Sequence, residues 1–319
     1  MRVLVTGGAG FIGSHLCDRL VRAGHSVVAY DDLSRGRADF LAGVSGRDSF
    51  RFVVADLLDS SVLDDTLRDG RFDAVVHLAA NSDIAAGSAD RRVDLDRTFL
   101  TTWAVAEGAA RFGIRQLVFA STSAVYGEVE GPTGEDFAPM RPISYYGAAK
   151  LAGEAWLSAV AHRSDVSTWV FRFPNVVGER GTHGVLVDFI ARLRVSPSEL
   201  VVLGDGQQQK PYLYVHDLLD GIQFAWSRAK PDPLVVFNLG PDGPSTKVFR
   251  IAEIVVEEMG LNAAIRYGSE DRGWPGDVPR FQYELSRIHA LGWSARLSSD
   301  DAVRRAVRAL LGKSVPPWK

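Results

Sequence analysis

The feature that most constrains the fold lies at the start of the chain, where an apolar strand runs into a glycine-rich turn and then into a helix. Residues 2–5 form the strand, residues 6–13 the turn, and apolar residues at helical spacing follow in 14–21. Its glycines permit a tight turn, a close approach of the backbone to a pyrophosphate and close packing of helix on strand. These are Gly7, Gly10 and Gly13. With a strand before it and a helix after it, the pattern indicates a dinucleotide site at a helix N-terminus.

A pair of acidic residues ends the second predicted strand, 18 residues beyond Gly13. A carboxylate there, at Asp31, fits a hydrogen bond to both ribose hydroxyls of an adenosine and repels a 2′-phosphate, which favours NAD over NADP. Arg35 and Arg37 follow Asp31 closely enough in the sequence that NADP is not excluded as the cofactor. The alternative reading of Asp31 is an ordinary loop carboxylate.

Further strands alternate with helices at the pace of βαβ units, and they are continuously apolar, as expected of parallel strands covered on both faces. They span residues 51–55, 74–78, 116–120 and 167–172. We predict an α/β fold, with a Rossmann-type doubly wound parallel sheet and a smaller C-terminal α/β substrate domain. The expected domains are residues 1–173, which also receive part of 211–235, and residues 174–319. Ligands of such sheets bind beyond the carboxyl ends of the strands.

A Tyr and a Lys four residues apart, Tyr146 and Lys150, are predicted to share one face of a helix. A free Tyr titrates near pH 10, and a nearby ammonium favours the phenolate, so we expect Lys150 to lower the pKa of Tyr146. The pair then becomes a plausible general base, with Thr122 as a hydroxyl relay. Alone, the spacing is weak, since it equally describes a pair on a surface helix.

Composition excludes several classes of function. A net charge of −3 gives no electrostatic case for binding nucleic acid or membranes, and no apolar run reaches 18 residues. The single cysteine, Cys17, cannot form an internal disulfide, and no His/Cys cluster has metal-ligand spacing, so no metal is expected. These features fit a cytoplasmic enzyme. Residues 315–319 read as a loose tail.

Motifs along nearly the whole chain resemble one family. They are TGGAGFIGSHL at 6–16, DDLSRG at 31–36, HLAA at 77–80, SAVYG at 123–127, the Tyr146/Lys150 pair, RFPNVVG at 172–178, LGDG at 203–206, YLYVHD at 212–217 and WPGD at 274–277. The chain resembles the extended short-chain dehydrogenase/reductases, and within them the nucleotide-sugar 4-epimerases of the UDP-glucose 4-epimerase group. The resemblance implies bound NAD, a UDP-hexose substrate and a homodimer formed by two helices, residues 95–112 and the helix that carries Tyr146.

The resemblance also implies roles for individual residues. Tyr146 takes the proton of the sugar 4-hydroxyl, Lys150 holds the phenolate and the nicotinamide ribose, and Thr122 shares the proton. The residues implied for NAD binding, besides Tyr146 and Lys150, are Gly7, Gly10, Phe11, Ile12, Gly13, Asp31, Asp32, Ser34, Asp56, Leu57, Ala79 and Ala80. Those implied for substrate binding are Ser123, Asn175, Val185, Lys210, Tyr212, Arg272, Asp277 and Phe281.

Departures from the family pattern leave the substrate open. Related 4,6-dehydratases have an Asp-Glu pair directly after the catalytic Thr, where this chain has Ser123 and Ala124, so dehydration is disfavoured. Lys210 stands where the family has an Arg, and Asp94 or Asp96 where it commonly has an Asn. Phe281, if it does not simply pack in the core, favours plain hexoses or uronates over N-acetylhexosamines. We therefore expect UDP-glucose/UDP-galactose 4-epimerisation. The alternatives are a UDP-glucuronate or other nucleotide-hexose 4-epimerase, a nucleotide-sugar reductase, and a non-catalytic NAD-binding regulator.

Overall fold

The computed structural model describes residues 1–271 and 278–318. The strands are β1 (Arg2–Thr6), β2 (Ser26–Asp31), β3 (Phe50–Val54), β4 (Ala74–His77), β5 (Gln116–Thr122), β6 (Pro132–Thr133), β7 (Ser167–Phe173), β8 (Asn175–Val177), β9 (Glu199–Val202), β10 (Gln209–Lys210), β11 (Tyr212–Tyr214), β12 (Leu234–Asn238), β13 (Thr246–Lys247), β14 (Ala264–Tyr267) and β15 (Gln282–Tyr283). The α-helices are α1 (Phe11–Arg22), α2 (Ser60–Gly70), α3 (Ile84–Ala89), α4 (Arg91–Asp94), α5 (Thr101–Arg111), α6 (Tyr145–Arg163), α7 (Val185–Val195), α8 (Val215–Arg228), α9 (Val248–Met259), α10 (Ser286–Ala290) and α11 (Ser299–Leu310). None of the helices in these ranges combines the length and apolar character needed to cross a membrane.

The chain folds into two compact units that interleave along the sequence. The first comprises residues 1–125, 144–172 and 226–237, and the second residues 126–143, 173–225 and 238–319. A segment beyond residue 211 thus joins the first unit through β12, whereas residues 126–143 belong to the second. The functional division into a cofactor domain and a substrate domain stays a prediction.

A seven-stranded sheet, in the order β12-β7-β5-β4-β1-β2-β3, organises the first unit. Strand β1 pairs in parallel with β2 and β4, so that Thr6 lies opposite Tyr30 on one side and His77 on the other. The central strands β1 and β4 are almost wholly buried, because helices cover both faces of such a sheet. The expectation of full burial is wrong for β3, which is half exposed since it forms the sheet edge.

Two long helical segments of the first unit lie beside this sheet. Helix α6 begins after Ser144, whose hydroxyl oxygen accepts a hydrogen bond from the Gly147 N–H (3.1 Å), a standard N-cap. Between α4 and α5 the helix continues through a π-helical segment, Leu95–Leu100. Short π segments inside α-helices frequently occur at functional sites. Here the segment follows directly after the buried Asp94.

The second unit is built from short two-stranded pairings around α7, α8, α9 and α11. Strand β8 pairs with β11, β9 with β14, β10 with β13 and β6 with β15. Apolar residues of α7, α9, α11 and β9 form its core. The expectation of a loose tail is wrong for Trp318, whose ring lies 5.1 Å from Tyr214 and whose indole N–H donates to Asp220 (2.9 Å). Packing against aromatic side chains and against Arg296 and Arg305 holds the Trp318 ring in place. The local sequence does not predict these contacts.

Candidate active site

The glycine-rich turn brings three backbone segments of the first unit into close contact. Gly7 has φ +67°, and a Cβ added there would lie 2.8 Å from the Ala79 backbone nitrogen. A Cβ added at Gly13 would lie 2.0 Å from the Gly7 carbonyl oxygen. Only glycine fits at both positions, and the first-turn N–H groups of α1 lack intrahelical acceptors. The turn therefore has the shape and the donors that a dinucleotide pyrophosphate needs, which fits NAD.

Asp31 ends β2 as predicted and is 8% exposed. Its Oδ2 accepts the Ala9 N–H (3.0 Å) and its Oδ1 the Leu33 N–H (2.9 Å), so the glycine-rich turn and the following loop hold the carboxylate in place. Burial raises its pKa, partly offset by these two hydrogen bonds. A carboxylate offers about four acceptor positions, so Asp31 retains acceptor capacity for ribose hydroxyls beside these backbone donors.

The other residues predicted for NAD binding lie in the adjacent loops and at the start of α1. Asp32 accepts hydrogen bonds from the Ser34 N–H and hydroxyl and pairs with Arg97 (2.8 Å), so it organises the loop after β2. Asp56 is exposed and Leu57 buried directly after β3, while Ala80 is half-buried after β4. Phe11 and Ile12 open α1 and are half-buried.

Arg35 and Arg37, which left NADP as an alternative cofactor, both have carboxylate partners. Arg35 forms an ion pair with Asp83, and Arg37 binds both oxygens of Asp39 (2.9 and 2.6 Å). Their charges are thereby partly neutralised at the loop where a 2′-phosphate would bind.

The Thr122 side chain lies near enough to the Tyr146 phenol to favour its phenolate, which is the arrangement that the relay hypothesis requires, although burial outweighs this effect on the pKa of Tyr146. Thr122 ends β5, and its Oγ1 also accepts the Ala124 N–H (3.2 Å), which fixes the orientation of the hydroxyl. Ser123 is half-buried in the short 3₁₀ turn that follows. The structure thus brings together a proton carrier from α6 and one from β5.

The expectation of a lowered pKa for Tyr146 is wrong for this structure. Burial, with a smaller contribution from the Asp94 carboxylate, raises the pKa of Tyr146 to about 12. The Lys150 ammonium donates to the Ala120 carbonyl oxygen (2.7 Å) and lies 4.7 Å from the centre of the Phe119 ring. Burial lowers the pKa of Lys150 itself to about 7. A low-dielectric site penalises both charged forms, so the resting pair is much closer to neutral than two residues on a surface helix.

His77, the last residue of β4, is fully buried. Its Nδ1 is 2.6 Å from the Thr6 hydroxyl and its Nε2 is 3.1 Å from the Thr102 hydroxyl. Burial, together with the charge of Lys150, lowers its pKa to about 3, so the ring is neutral at physiological pH. Its role here is to connect β1, β4 and α5.

Four of the predicted substrate residues lie on neighbouring backbone in the second unit. Asn175 in β8 pairs with Tyr212 in β11, and Lys210 lies two residues before Tyr212. The Phe281 N–H donates to the carbonyl oxygen of Gln209 (3.2 Å). Asn175 is exposed and Lys210 half-buried, whereas Tyr212 and Phe281 are buried (5% and 7% exposed). Phe281 stacks on another aromatic ring, that of Tyr126, at 5.6 Å.

Val185 is half-buried at the first position of α7. Arg272 and Asp277 lie outside the described residues.

Sequence reasoning missed two polar clusters, one buried and one half-buried. In the first unit, Glu154 binds Arg172 and Ser121. In the second unit, Glu179 accepts hydrogen bonds from Tyr214 (2.7 Å) and lies 2.9 Å from His216 Nε2. The first cluster had a sequence signal, because Glu154 follows Lys150 at helical spacing. The second had none, since its residues come from separate segments.

The family identity follows from comparison with known proteins. The family described as "NAD dependent epimerase/dehydratase family" matches residues 3–240. A UDP-glucose 4-epimerase of Mycolicibacterium smegmatis is 32% identical, with 98% of this chain and 100% of that protein covered. The crystal structure of a UDP-galactose 4-epimerase superposes with a TM-score of 0.87 at 38% identity, covering 98% and 99% of the two chains. MoeE5, solved with UDP-glucuronic acid and NAD, gives 0.85 at 29% identity with the same coverage. The chain belongs to the NAD dependent epimerase/dehydratase family.

Proposed function

We propose that this protein is an NAD-dependent nucleotide-sugar 4-epimerase that inverts C4 of a UDP-hexose, UDP-glucose/UDP-galactose first. The observation that carries the proposal is the placement of Tyr146 and buried Lys150 one helical turn apart on α6, with the Thr122 side chain at the end of β5 near the Tyr146 phenol. These three residues can move a proton at a substrate hydroxyl. They belong to the first unit, which also contains the glycine-rich turn. The UDP-glucose and UDP-galactose 4-epimerases to which the chain is similar support the same reaction.

NAD supplies a reversible hydride acceptor for C4 when it is bound. Tyr146 acts from its phenolate form, to which the Thr122 hydroxyl would donate a hydrogen bond. The phenolate accepts the proton of the 4-hydroxyl and becomes the neutral phenol. Lys150, when protonated, stabilises that phenolate through its charge. The 4-keto sugar then rotates within the site. Tyr146 returns the proton to the oxygen on C4 as C4 is reduced on its opposite face. Loss and gain of the proton at one oxygen balance, so the reaction needs no net acid, base or added cofactor.

The residues beside Thr122 favour epimerisation over dehydration. Loss of water across C5–C6 needs an acid and a base near the sugar, whereas Ser123 and Ala124 supply neither. The Ala124 N–H is already bound to Thr122 Oγ1 (3.2 Å), which leaves the Ser123 hydroxyl as the polar group of that turn for a sugar contact.

NAD fits better than NADP. The Asp31 carboxylate is fixed by two backbone N–H groups where it would meet a ribose, and it repels a 2′-phosphate. Arg35 and Arg37 are paired with carboxylates, so neither offers an unneutralised cation for that phosphate.

For the substrate, we propose that the second unit binds the nucleotide diphosphate through Asn175 and Lys210, with Val185, Tyr212, Arg272, Asp277 and Phe281 completing the site. Lys210 offers a point charge for a phosphate rather than the bidentate fork of an arginine. Phe281 stacked on Tyr126 is bulky and buried, which favours plain hexoses or uronates. UDP-glucuronate is the second candidate substrate, because MoeE5 was solved with UDP-glucuronic acid.

The protein is also proposed to act as a cytoplasmic homodimer formed by α5 and α6. These helices and the π segment before α5 expose large apolar side chains, among them Leu95 (45%), Trp103 (42%) and Trp156 (39%). Trp156 is oriented by a hydrogen bond to Glu107 (3.0 Å). Light scattering at micromolar concentration should give a mass near twice 34.7 kDa. A monomer mass would contradict the dimer.

The test of the reaction is incubation of the purified protein, without added cofactor, with UDP-glucose, UDP-glucuronate and UDP-N-acetylglucosamine, followed by NMR of the products. A 4-epimer in one sample establishes the reaction, the retained NAD and the preference at C6. Conversion that starts only when NAD(P)H is supplied would favour a reductase. Ligand-induced thermal shifts without any conversion would favour a binding role.

A further inference from the structure

A buried ion pair lies one helical turn beyond Lys150 on α6. Arg172 Nε lies 2.9 Å from Glu154 Oε1, and its Nη2 lies 2.5 Å from Oε2. The side chains are 4% and 8% exposed. The Ser121 hydroxyl donates to Glu154 Oε1 as well. Burying two charges costs solvation that apolar residues would not lose, so stability alone is a weak reason for this pair.

The pair is connected to Lys150 through β5. The Lys150 ammonium donates to the Ala120 carbonyl oxygen, and the next residue, Ser121, donates to Glu154. Lys150 and Glu154 also share a face of α6, since they are four residues apart. Lys150 is 2% exposed, so charges near it are poorly screened by water.

Among the residues that the structure describes, other groups around Lys150 contribute no anion of comparable effect. His77, on β4, is neutral, and Tyr146, on α6, is a neutral phenol at physiological pH. The Phe119 ring and the Ala120 carbonyl of β5 are uncharged. Glu154 is the carboxylate that counteracts the effect of burial on Lys150, and the Arg172 cation on β7 opposes Glu154. Asp94 acts on Tyr146 instead.

We propose that Glu154 is a positioning residue that favours the charged form of Lys150, with Arg172 and Ser121 holding its carboxylate in place. The inference rests on the proposed function only in the use it gives to Lys150. Without Glu154, a lysine buried against Phe119 would lose its proton at a lower pH, so that at physiological pH less of it could stabilise the Tyr146 phenolate. Arg172 fixes the carboxylate and moderates the strength of its field.

The experiment measures the protonation of Lys150 directly. The chain has six lysines, so ¹⁵N-lysine labelling gives few side-chain signals, and Lys150→Arg assigns the one in question. In Glu154→Gln, the titration midpoint of Lys150 should fall by ~1 pH unit or more, because the anion is lost and the Arg172 cation remains. In Arg172→Met the midpoint should rise. Glu154→Asp, which keeps the charge, should stay near the unsubstituted protein.

The opposite signs separate this proposal from a merely structural role. Loss of packing or of stability would affect both single variants alike, whereas the field of the pair moves the midpoint down in one and up in the other. If a single variant fails to fold because it leaves a buried charge unpaired, the double variant Glu154→Gln/Arg172→Met leaves none. Its midpoint should lie below that of the unsubstituted protein. Midpoints that move in the same direction in both single variants, or an unchanged midpoint in the double variant, would overturn the inference.

The alkaline limb of kcat should move with the midpoint, so Glu154→Gln should lose ~10-fold in kcat near pH 8. The NMR titration contains no substrate, which keeps the two proposals separable. If the midpoint of Lys150 shifts as expected but the protein converts no UDP-sugar, the proposed function is wrong and the inference about Glu154 stands. If the enzyme is active but the midpoint does not move, the inference is wrong and the proposed function stands.

Discussion

The two units hold their functional residues in different ways. In the first, proposed cofactor-binding and catalytic groups have fixed partners: Asp31 accepts from backbone N–H groups, Thr122 accepts from the Ala124 N–H, and Lys150 donates to the Ala120 carbonyl. In the second, the proposed substrate residues range from the exposed Asn175, on a strand of three residues, to the buried Phe281, which directly precedes a strand of two residues.

The difference indicates a division of work. Chemistry at one oxygen atom demands groups held within hydrogen-bond distance and away from water, which the seven-stranded sheet and α6 provide. Recognition of a nucleotide sugar needs charge and shape over a larger surface, which short strand pairs can vary without disturbing the sheet. Changes in the first unit should therefore act on kcat or on retained NAD, and changes in the second on KM.

The largest effect is expected from Tyr146→Phe. Without the phenol the 4-hydroxyl has no proton acceptor, and kcat should fall by ~10³-fold, within the range for a general base. Thermal stability and retained NAD should change little, because the ring remains. The control is Tyr145→Phe, since Tyr145 precedes it and is 51% exposed. Near-normal turnover by Tyr146→Phe would remove the mechanism.

Gly13→Ala should be the next most damaging change. The new methyl would lie 2.0 Å from the Gly7 carbonyl, and Gly7 is tied by its N–H to the Tyr30 carbonyl oxygen (2.8 Å), so the turn must shift. We expect purified protein without bound NAD, and a stability loss of about 1–3 kcal/mol typical of overpacking. Absorbance and chromatography of the released nucleotide measure the first, and denaturant unfolding the second. Gly43→Ala is the control, because its Cβ would meet only Asp18 at an ordinary 3.4 Å. If Gly13→Ala retains a full complement of NAD, the phosphate role of the turn is wrong.

Lys210→Ala tests the second unit and should affect mainly substrate binding. Loss of one phosphate contact should raise KM by ~10-fold, about 1.4 kcal/mol, with a smaller change in kcat. Lys210→Arg should restore binding. Lys247 is the matched control. It lies on β13, which pairs with β10, and its ammonium is bound to Gln207 (3.0 Å). A fall in kcat with KM unchanged would place Lys210 with the chemistry and break the division between the units.

The smallest effect is expected from Asp94→Asn. The buried Asp94 carboxylate, which accepts a hydrogen bond from Asn81 (2.9 Å), raises the pKa of Tyr146 because an anion disfavours the phenolate. A neutral amide removes that effect, so the pKa of Tyr146 falls. The limb of the pH–rate profile that requires the phenolate should then move to lower pH.

The control for this change is Asp96→Asn, because Asp96 is in the same helix and pairs with Arg92 (3.0 Å). Its profile should match that of the unsubstituted enzyme. A shift to higher pH in Asp94→Asn would contradict the electrostatic role of Asp94.

The sequence by itself determined the parts of this protein that depend on local spacing. The strand, glycine-rich turn and helix are contiguous, so the turn, Asp31 at the next strand end and the Tyr146/Lys150 pair were all predictable from short stretches. Steric limits on glycine and the helical repeat act over a few residues and leave little choice.

Tertiary structure alone decided what each of these groups touches. The Lys150 ammonium bonds to Ala120 on another element, and burial raises the pKa of Tyr146 where spacing had predicted the opposite. The half-exposed edge strand β3 and the packed Trp318 likewise depend on neighbours distant in the chain. Burial and long-range contact set solvation and electric field, and these quantities belong to the assembled fold rather than to any segment of the sequence.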